Sequence, residues 1–228
     1  MRIDSHVIYS SAHPPEHLQA VLARNRFDGA ILVGEVPPAA EQTHIVGWVA
    51  PWQKLAEHRG HEKLRGVWSR LEAGVPAGLE ELARSGLTLD LEMRPEQLAL
   101  VGPMAEQAPG VRMAIDHLAR PRFAEGLTTE WVQGMEAAAR FPSVFCKVSG
   151  LLSEPRAAWK STLWRDFVQV ALGVFGPDRV MFGSEWPECL PAATWKETLA
   201  AFTQGIGAQS MEVREKLLGG TAARFYGV

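Results

Sequence analysis

The sequence predicts a single, compact and distorted (β/α)8 barrel closed by a short C-terminal helix. Three observations point there. Eight short β-branched or apolar runs recur along 228 residues, each followed by a helical stretch or a Gly/Pro breaker. Polar and charged residues stand at the ends of several runs, where a parallel barrel keeps its chemistry. No Ser/Gly-rich linker, low-complexity tract or charge block divides the chain, so residues 1–228 are read as one domain.

The elements follow in order. RIDSHVI (Arg2–Ile8) opens the barrel and leads to a helix over Pro15–Asn25. GAILVGE (Gly29–Glu35) precedes a weak helix over Ala39–Thr43, and HIVGWVA (His44–Ala50) precedes another over Trp52–Gly60. KLRGVWSRL (Lys63–Leu71) is followed by Gly78–Ser85, and LTLDLEM (Leu87–Met93) by Pro95–Gln107. VRMAIDHL (Val111–Leu118) is followed by Thr129–Arg140, and VFCKVSG (Val144–Gly150) by Trp164–Phe175. RVMFGSE (Arg179–Glu185) is the eighth strand, with helices over Thr194–Thr203 and Met211–Leu218 behind it. The string GVFGPD (Gly173–Asp178) is a helix stop and turn, explained by glycine and proline alone. Strand alternating with helix is the pattern of a parallel sheet.

Charge and composition exclude several classes. The 23 basic and 26 acidic residues are scattered, giving a net charge of −3 without the basic stripe that nucleic-acid binding needs. The opening MRIDSHVIYS lacks a basic region followed by an apolar one, and no apolar run has membrane-spanning length, which predicts a cytoplasmic protein with no membrane partner. Cys146 and Cys189 have neither disulfide density nor metal spacing and are read as buried thiols. His13, His58 and His61 fall in loops or on helix surfaces, and the eight tryptophans form no stacking array. Oligomeric state is not encoded legibly.

Alternation along the strands selects the candidate site. It places Asp4, His6 and Ile8 on one face, Met113, Ile115 and His117 on another, and Met181, Gly183 and Glu185 on a third. His6, His117 and Glu185 thus end their strands facing the barrel mouth. Asp90, Glu92 and Arg94 share a face of the fifth strand, as Lys147 and Ser149 do on the seventh. Two imidazoles and a carboxylate suit general acid/base work or weak metal coordination, with Lys147, Arg94, Glu92 and Asp90 as candidate substrate-binding groups. Lys147 paired with Asp90 or Glu92 inside the barrel is the structural alternative, and Asp116 is read as facing the helices. Such a mouth suits a small, oxygen-rich substrate.

The segments IDSH (Ile3–His6), RPEQL (Arg94–Leu98), IDHLARP (Ile115–Pro121), CKVSGL (Cys146–Leu151), GPDRVMFGSEWPECL (Gly176–Leu190) and GGTAARFYG (Gly219–Gly227) carry a resemblance. The chain resembles the amidohydrolase-related (amidohydrolase 2) family, and within it the L-fuconolactonase-like lactone hydrolases. The resemblance implies a distorted (β/α)8 barrel and attack of water on a lactone or similar carbonyl, with or without a divalent metal. It places Glu185 where the family's carboxylate takes a proton from water or binds metal, and His117 where a site histidine falls.

Departures from that pattern are specific. The family's first strand ends in His-x-His, where this chain has His6-Val7-Ile8; its fourth closes with Arg-His, where this chain has Trp68-Ser69; its eighth carries Asp, where this chain has Glu185. Thr221 replaces an Asn, and the first βα loop is shortened to Tyr9–Glu16. Three readings remain open: a lactone or cyclic-ester hydrolase using Glu185, His117 and His6; a non-catalytic barrel that binds a small polar metabolite; and a metal-dependent hydrolase with atypical ligands. The cofactor is correspondingly none, or one weakly bound divalent metal such as zinc at His6, His117 and Glu185.

Overall fold

The computed structural model describes residues 1–8, 12–71, 75–152 and 164–228. Eight strands run in sequence order around a barrel: β1 (Ile3–Ile8), β2 (Gly29–Val33), β3 (Ile45–Pro51), β4 (Leu64–Arg70), β5 (Thr88–Glu92), β6 (Met113–Ile115), β7 (Val144–Val148) and β8 (Val180–Phe182). Every neighbouring pair is parallel. The seam between β8 and β1 is closed by bonds at the end of the short eighth strand and just past it. Ile8 N donates to Trp186 O at 2.8 Å, Glu185 N donates to His6 O at 2.9 Å, and Ser5 Oγ donates to Phe182 O at 2.6 Å.

Helices α1 (Pro15–Arg24), α2 (Leu55–His58), α3 (Leu79–Ser85), α4 (Val101–Gln107), α5 (Thr129–Ala139), α6 (Trp164–Phe175), α7 (Trp195–Ile206), α8 (Met211–Glu215) and α9 (Thr221–Tyr226) complete the fold. Local chemistry starts several of them. Thr128 caps α5 through Trp131 N, and Thr194 and Glu197 form a reciprocal capping box on α7. Residues Ala39–Thr43 form turns instead of the weak helix read from sequence. Five residues behind Pro37 and Pro38 are too few to offset the cost of helix nucleation. Pro95–Gln107 begins as a 3₁₀ stretch through Leu100 before becoming α4, and α8 passes through one π-helical turn, Lys216–Gly220, into α9. The shortened first βα loop lies partly outside the described residues.

Two apolar layers sort the strand residues. Leu89, Leu91, Met113, Ile115, Cys146, Val148, Val180 and Phe182 pack outward against the helices, while Ile3, Ile31, Val33, Val49, Ala114, Phe145 and Met181 fill the barrel. Ala222, Phe225 and Tyr226 of α9 join the inner layer, so the last helix plugs the barrel beneath the strand starts. This sorting corrects two faces read from sequence. On β6 Ala114, not Met113 or Ile115, points inward. On β1 a register shift between Asp4 and Val7 re-phases the alternation, as bulges do. Asp4 turns away from the mouth and accepts from Trp195 Nε1 at 2.8 Å and Ser184 N at 2.9 Å.

Gly219 sets how closely the π-helical turn before α9 approaches the chain entering β1: a Cβ there would lie within 2.6 Å of backbone atoms of Met1, Arg2 and Ile3. Backbone cannot rotate away as a side-chain tip can. Gly219→Ala should therefore destabilise the protein by about 1–3 kcal/mol, read as a lower midpoint in thermal denaturation; an unchanged midpoint would contradict this seating.

Candidate active site

The strand ends gather His6, Asp116, His117, Ser149 and Glu185 at the mouth. The rings of His6 and His117 lie 4.6 Å apart, His117 Nε2 is 3.4 Å from Glu185 Oε1, and His117 Nδ1 is 2.8 Å from Ser149 Oγ. His6, His117 and Glu185 are each only 4% exposed. Their convergence matches the residues selected from sequence, but the route differs for two of them. His117 reaches the mouth through a left-handed run, His117 to Arg120, with φ of 53°, 56°, 61° and 46°. Outward packing of Leu118 and a 2.8 Å bond from Trp131 Nε1 to Leu118 O hold that run. Glu185 is also left-handed, at φ 60°. Gly183 makes room before it, since a Cβ there would lie 2.8 Å from His6 Cβ.

The left-handed run also delivers a residue the sequence reading missed. Arg120 Nη2 donates to Glu185 Oε1 at 3.1 Å and Arg120 Nε to Glu92 Oε1 at 3.2 Å. Arg70 completes the chain, donating to Glu92 Oε2 at 3.0 Å. Alternation with Trp68 on β4 was a usable signal for Arg70. Nothing in HLARP announces four consecutive left-handed residues, because Leu and Ala have no preference for that conformation.

Beneath the mouth lies a sealed ionic cluster. Lys147 Nζ is 2.5 Å from Asp90 Oδ2, 3.0 Å from Asp116 Oδ1 and 3.4 Å from His6 Nδ1. Tyr226 Oη donates to Asp90 Oδ2 at 2.7 Å. Lys147 and Asp90, read from sequence as substrate-binding groups, have no exposed surface and are paired with each other, the structural alternative named above. Asp116 is corrected: with Ala114 inward on β6, alternation brings its carboxylate into the barrel. Arg94 is exposed on the wall of the outer cavity, and Glu92 borders both cavities.

Burial dominates the electrostatics. It holds both His6 and His117 well below the ordinary histidine range, helped at His6 by Lys147 and at His117 by Arg120, so both rings are neutral at neutral pH. Burial raises Glu185 against the opposing pull of Arg120, and raises Asp116 to about 7 against that of Lys147. Burial alone would discharge Lys147, but Asp116 and Asp90 outweigh it and hold its pKa above the usual value. Cys189 is pushed up to about 12 by burial and Cys146 higher still, leaving both as inert thiols.

Two cavities meet over this site. One of about 570 Å³ includes Arg70, Arg94, Arg120 and Arg122 in its wall; the other, about 370 Å³, is walled by His6, Ile8, Val33, Trp68 and Asp116. Arg70, Glu92, His117 and Arg120 border both.

The sequence profile of the amidohydrolase family matches residues 53–228. This chain belongs to the amidohydrolase family. It is 32% identical over 250 residues to an L-fucono-1,5-lactonase of Burkholderia multivorans, covering 94% of this chain and 83% of that one. An L-fucono-1,5-lactonase of Burkholderia ambifaria is 25% identical, covering 93% of this chain and 84% of its own. A crystal structure of a Burkholderia multivorans amidohydrolase with bound Zn superposes with a TM-score of 0.84 at 27% identity, covering 100% of this chain and 99% of that one.

In this amidohydrolase, His6, Asp116 and His117 offer three ligand atoms within 4.8 Å of one another. Two nitrogens and an oxygen are a zinc-type donor set, so a divalent ion fits. Ile8 supplies no fourth donor, however, and the Lys147 ammonium already lies against both His6 and Asp116. Retention should be weak. After dialysis against a chelator and then metal-free buffer, elemental analysis should find well under one zinc per chain; a full equivalent retained would contradict this.

Among the described residues no helix is long and apolar enough to cross a membrane.

Proposed function

We propose that this amidohydrolase hydrolyses a lactone, or a similar small cyclic ester of a sugar acid, by attack of water on the ring carbonyl. The observation that carries the reading is Glu185, a carboxylate 4% exposed whose Oε1 is held by Arg120 at 3.1 Å and faces His117 at 3.4 Å. Likeness to the two lactonases supports the substrate class.

Burial that raises Glu185 makes it a better proton acceptor, and the Arg120 guanidinium opposes that rise by favouring its ionised form. Water's oxygen bonds to the carbonyl carbon as its proton passes to Glu185. Negative charge then grows on the carbonyl oxygen, where neutral His117 and the Arg120 guanidinium border the cavity and supply donors. Collapse breaks the ring C–O bond, and protonated Glu185 returns the proton to the departing oxygen, leaving a hydroxy acid. A divalent ion held by His6, Asp116 and His117 would add Lewis-acid polarisation of the carbonyl. Arg94 and Glu92, on the outer cavity, are placed to bind the remainder of the substrate.

A pH-indicator assay over a panel of sugar lactones tests the reading. Glu185→Gln should lower kcat by about 10²-fold or more, while Glu185→Asp should keep or raise activity. Aspartate is also the better occupant of a left-handed position. Equal rates for the wild type and Glu185→Gln, or no lactone turned over, would contradict the proposal and favour a barrel that only binds a polar metabolite.

A further inference from the structure

We infer that Lys147 is a positioning residue that fixes His6 in the tautomer carrying its hydrogen on Nε2, so that His6 meets the substrate carbonyl oxygen as an N–H donor. The tautomer stands independently of the lactone reading; only its use on a carbonyl rests on that reading.

An ammonium has three N–H donors and no acceptor. Lys147 Nζ donates to Asp90 Oδ2 at 2.5 Å and lies 3.4 Å from His6 Nδ1, while Asp116 Oδ1, at 3.0 Å, is an ion-pair contact outside hydrogen-bond geometry. The contact between the ammonium and His6 is a hydrogen bond only if His6 Nδ1 bears a lone pair. The other tautomer would point an N–H at the ammonium and strand one Lys147 donor at a residue with no exposed surface, which is costly. Asp116 Oδ2 does not reward that tautomer, since at 3.7 Å from Nδ1 it is beyond hydrogen-bond reach.

Below the cluster, Tyr226 donates to the same Asp90 oxygen that holds Lys147, so the ammonium is anchored from the barrel floor. Above it, His6 borders the cavity of about 370 Å³ that also contacts His117 and Arg120. With Nδ1 engaged from below, the Nε2–H is the ring's remaining polar group. A preorganised N–H donor at a developing oxyanion is a recognised source of catalysis.

The same lock disfavours metal at His6. Nδ1 is blocked by the ammonium, and coordination through Nε2 would force the hydrogen onto Nδ1, against it. Fixing the tautomer of a ligating histidine is ordinarily what a neighbouring acceptor does for a metal site. Here a donor occupies that place and does the opposite.

The direct test is a long-range ¹H–¹⁵N correlation spectrum of histidine-labelled protein at neutral pH, with His6 assigned by its loss in His6→Gln. A bare Nδ1 and a protonated Nε2 are expected; a protonated Nδ1 would overturn the inference without any further variant. Zinc competition against a chromophoric chelator adds a second readout, comparing the wild type with the charge-balanced Lys147→Met/Asp90→Asn protein. Zinc should bind the double variant about tenfold or more tightly, and equal or weaker binding would overturn the lock. If the spectrum is as expected but no lactone is hydrolysed, the positioning stands and the lactone reading falls. A lactone hydrolysed by protein with Nδ1 protonated gives the converse.

Discussion

A fully buried ammonium between two carboxylates is the constraint on which the rest of this barrel depends. Lys147 on β7 reaches Asp90 on β5, Asp116 at the end of β6 and His6 on β1, and Tyr226 of α9 closes the cluster from below. Distant parts of the chain are thereby tied at one point inside the barrel. Desolvating three ionisable groups costs several kcal/mol per ion, and only close, well-bonded geometry offsets it. Two acids against one base leave the balance incomplete. The rise of Asp116 to about 7 is the response, burial being its chief cause and the Asp90 charge a further one.

The mouth above inherits its character from that cluster. Its imidazoles are neutral because they are buried and face the cations Lys147 and Arg120, while its carboxylate Glu185 is raised by burial and restrained by Arg120. Neutral imidazoles and a carboxylate are also the forms that bind metal, so what weakens coordination here is Ile8 in place of a further donor and the Lys147 ammonium against His6 and Asp116. The chain accepts backbone strain to assemble the mouth. Four consecutive left-handed residues from His117, and a fifth at Glu185, cost on the order of 1–3 kcal/mol each. Packing of Leu118 in the outer core and the Trp131 bond to its carbonyl offset part of that cost.

How much of this is legible in sequence depends on whether local rules survive. The runs GAILV and VFCKV show their strands because β-branched and apolar residues alternate with breakers, and the family motifs reinforce the order of the units. Facing is legible where a strand is regular, as on β5, where Asp90 and Glu92 point inward as alternation requires. It fails on β1, where a bulge after Asp4 shifts the phase and sends that carboxylate to Trp195. On β6 the strand ends at Ile115 and a left-handed turn, not alternation, aims His117. Arg120 and Tyr226 were invisible as site residues because one depends on that turn and the other on a helix returning beneath the barrel. Ala39–Thr43 looked weakly helical because composition does not reveal that five residues after two prolines cannot nucleate.

The most direct test of the central claim is a double-mutant cycle on the buried pair, read by equilibrium denaturation of Lys147→Met, Asp90→Asn and the combined variant. Removing the ammonium alone leaves two buried carboxylates unpaired and should cost about 3–5 kcal/mol. If Lys147 and Asp90 are the constraint described here, the combined variant should recover about 2 kcal/mol or more relative to the sum of the single losses. Losses that add to within about 0.5 kcal/mol would show the two residues acting independently, and would contradict the account.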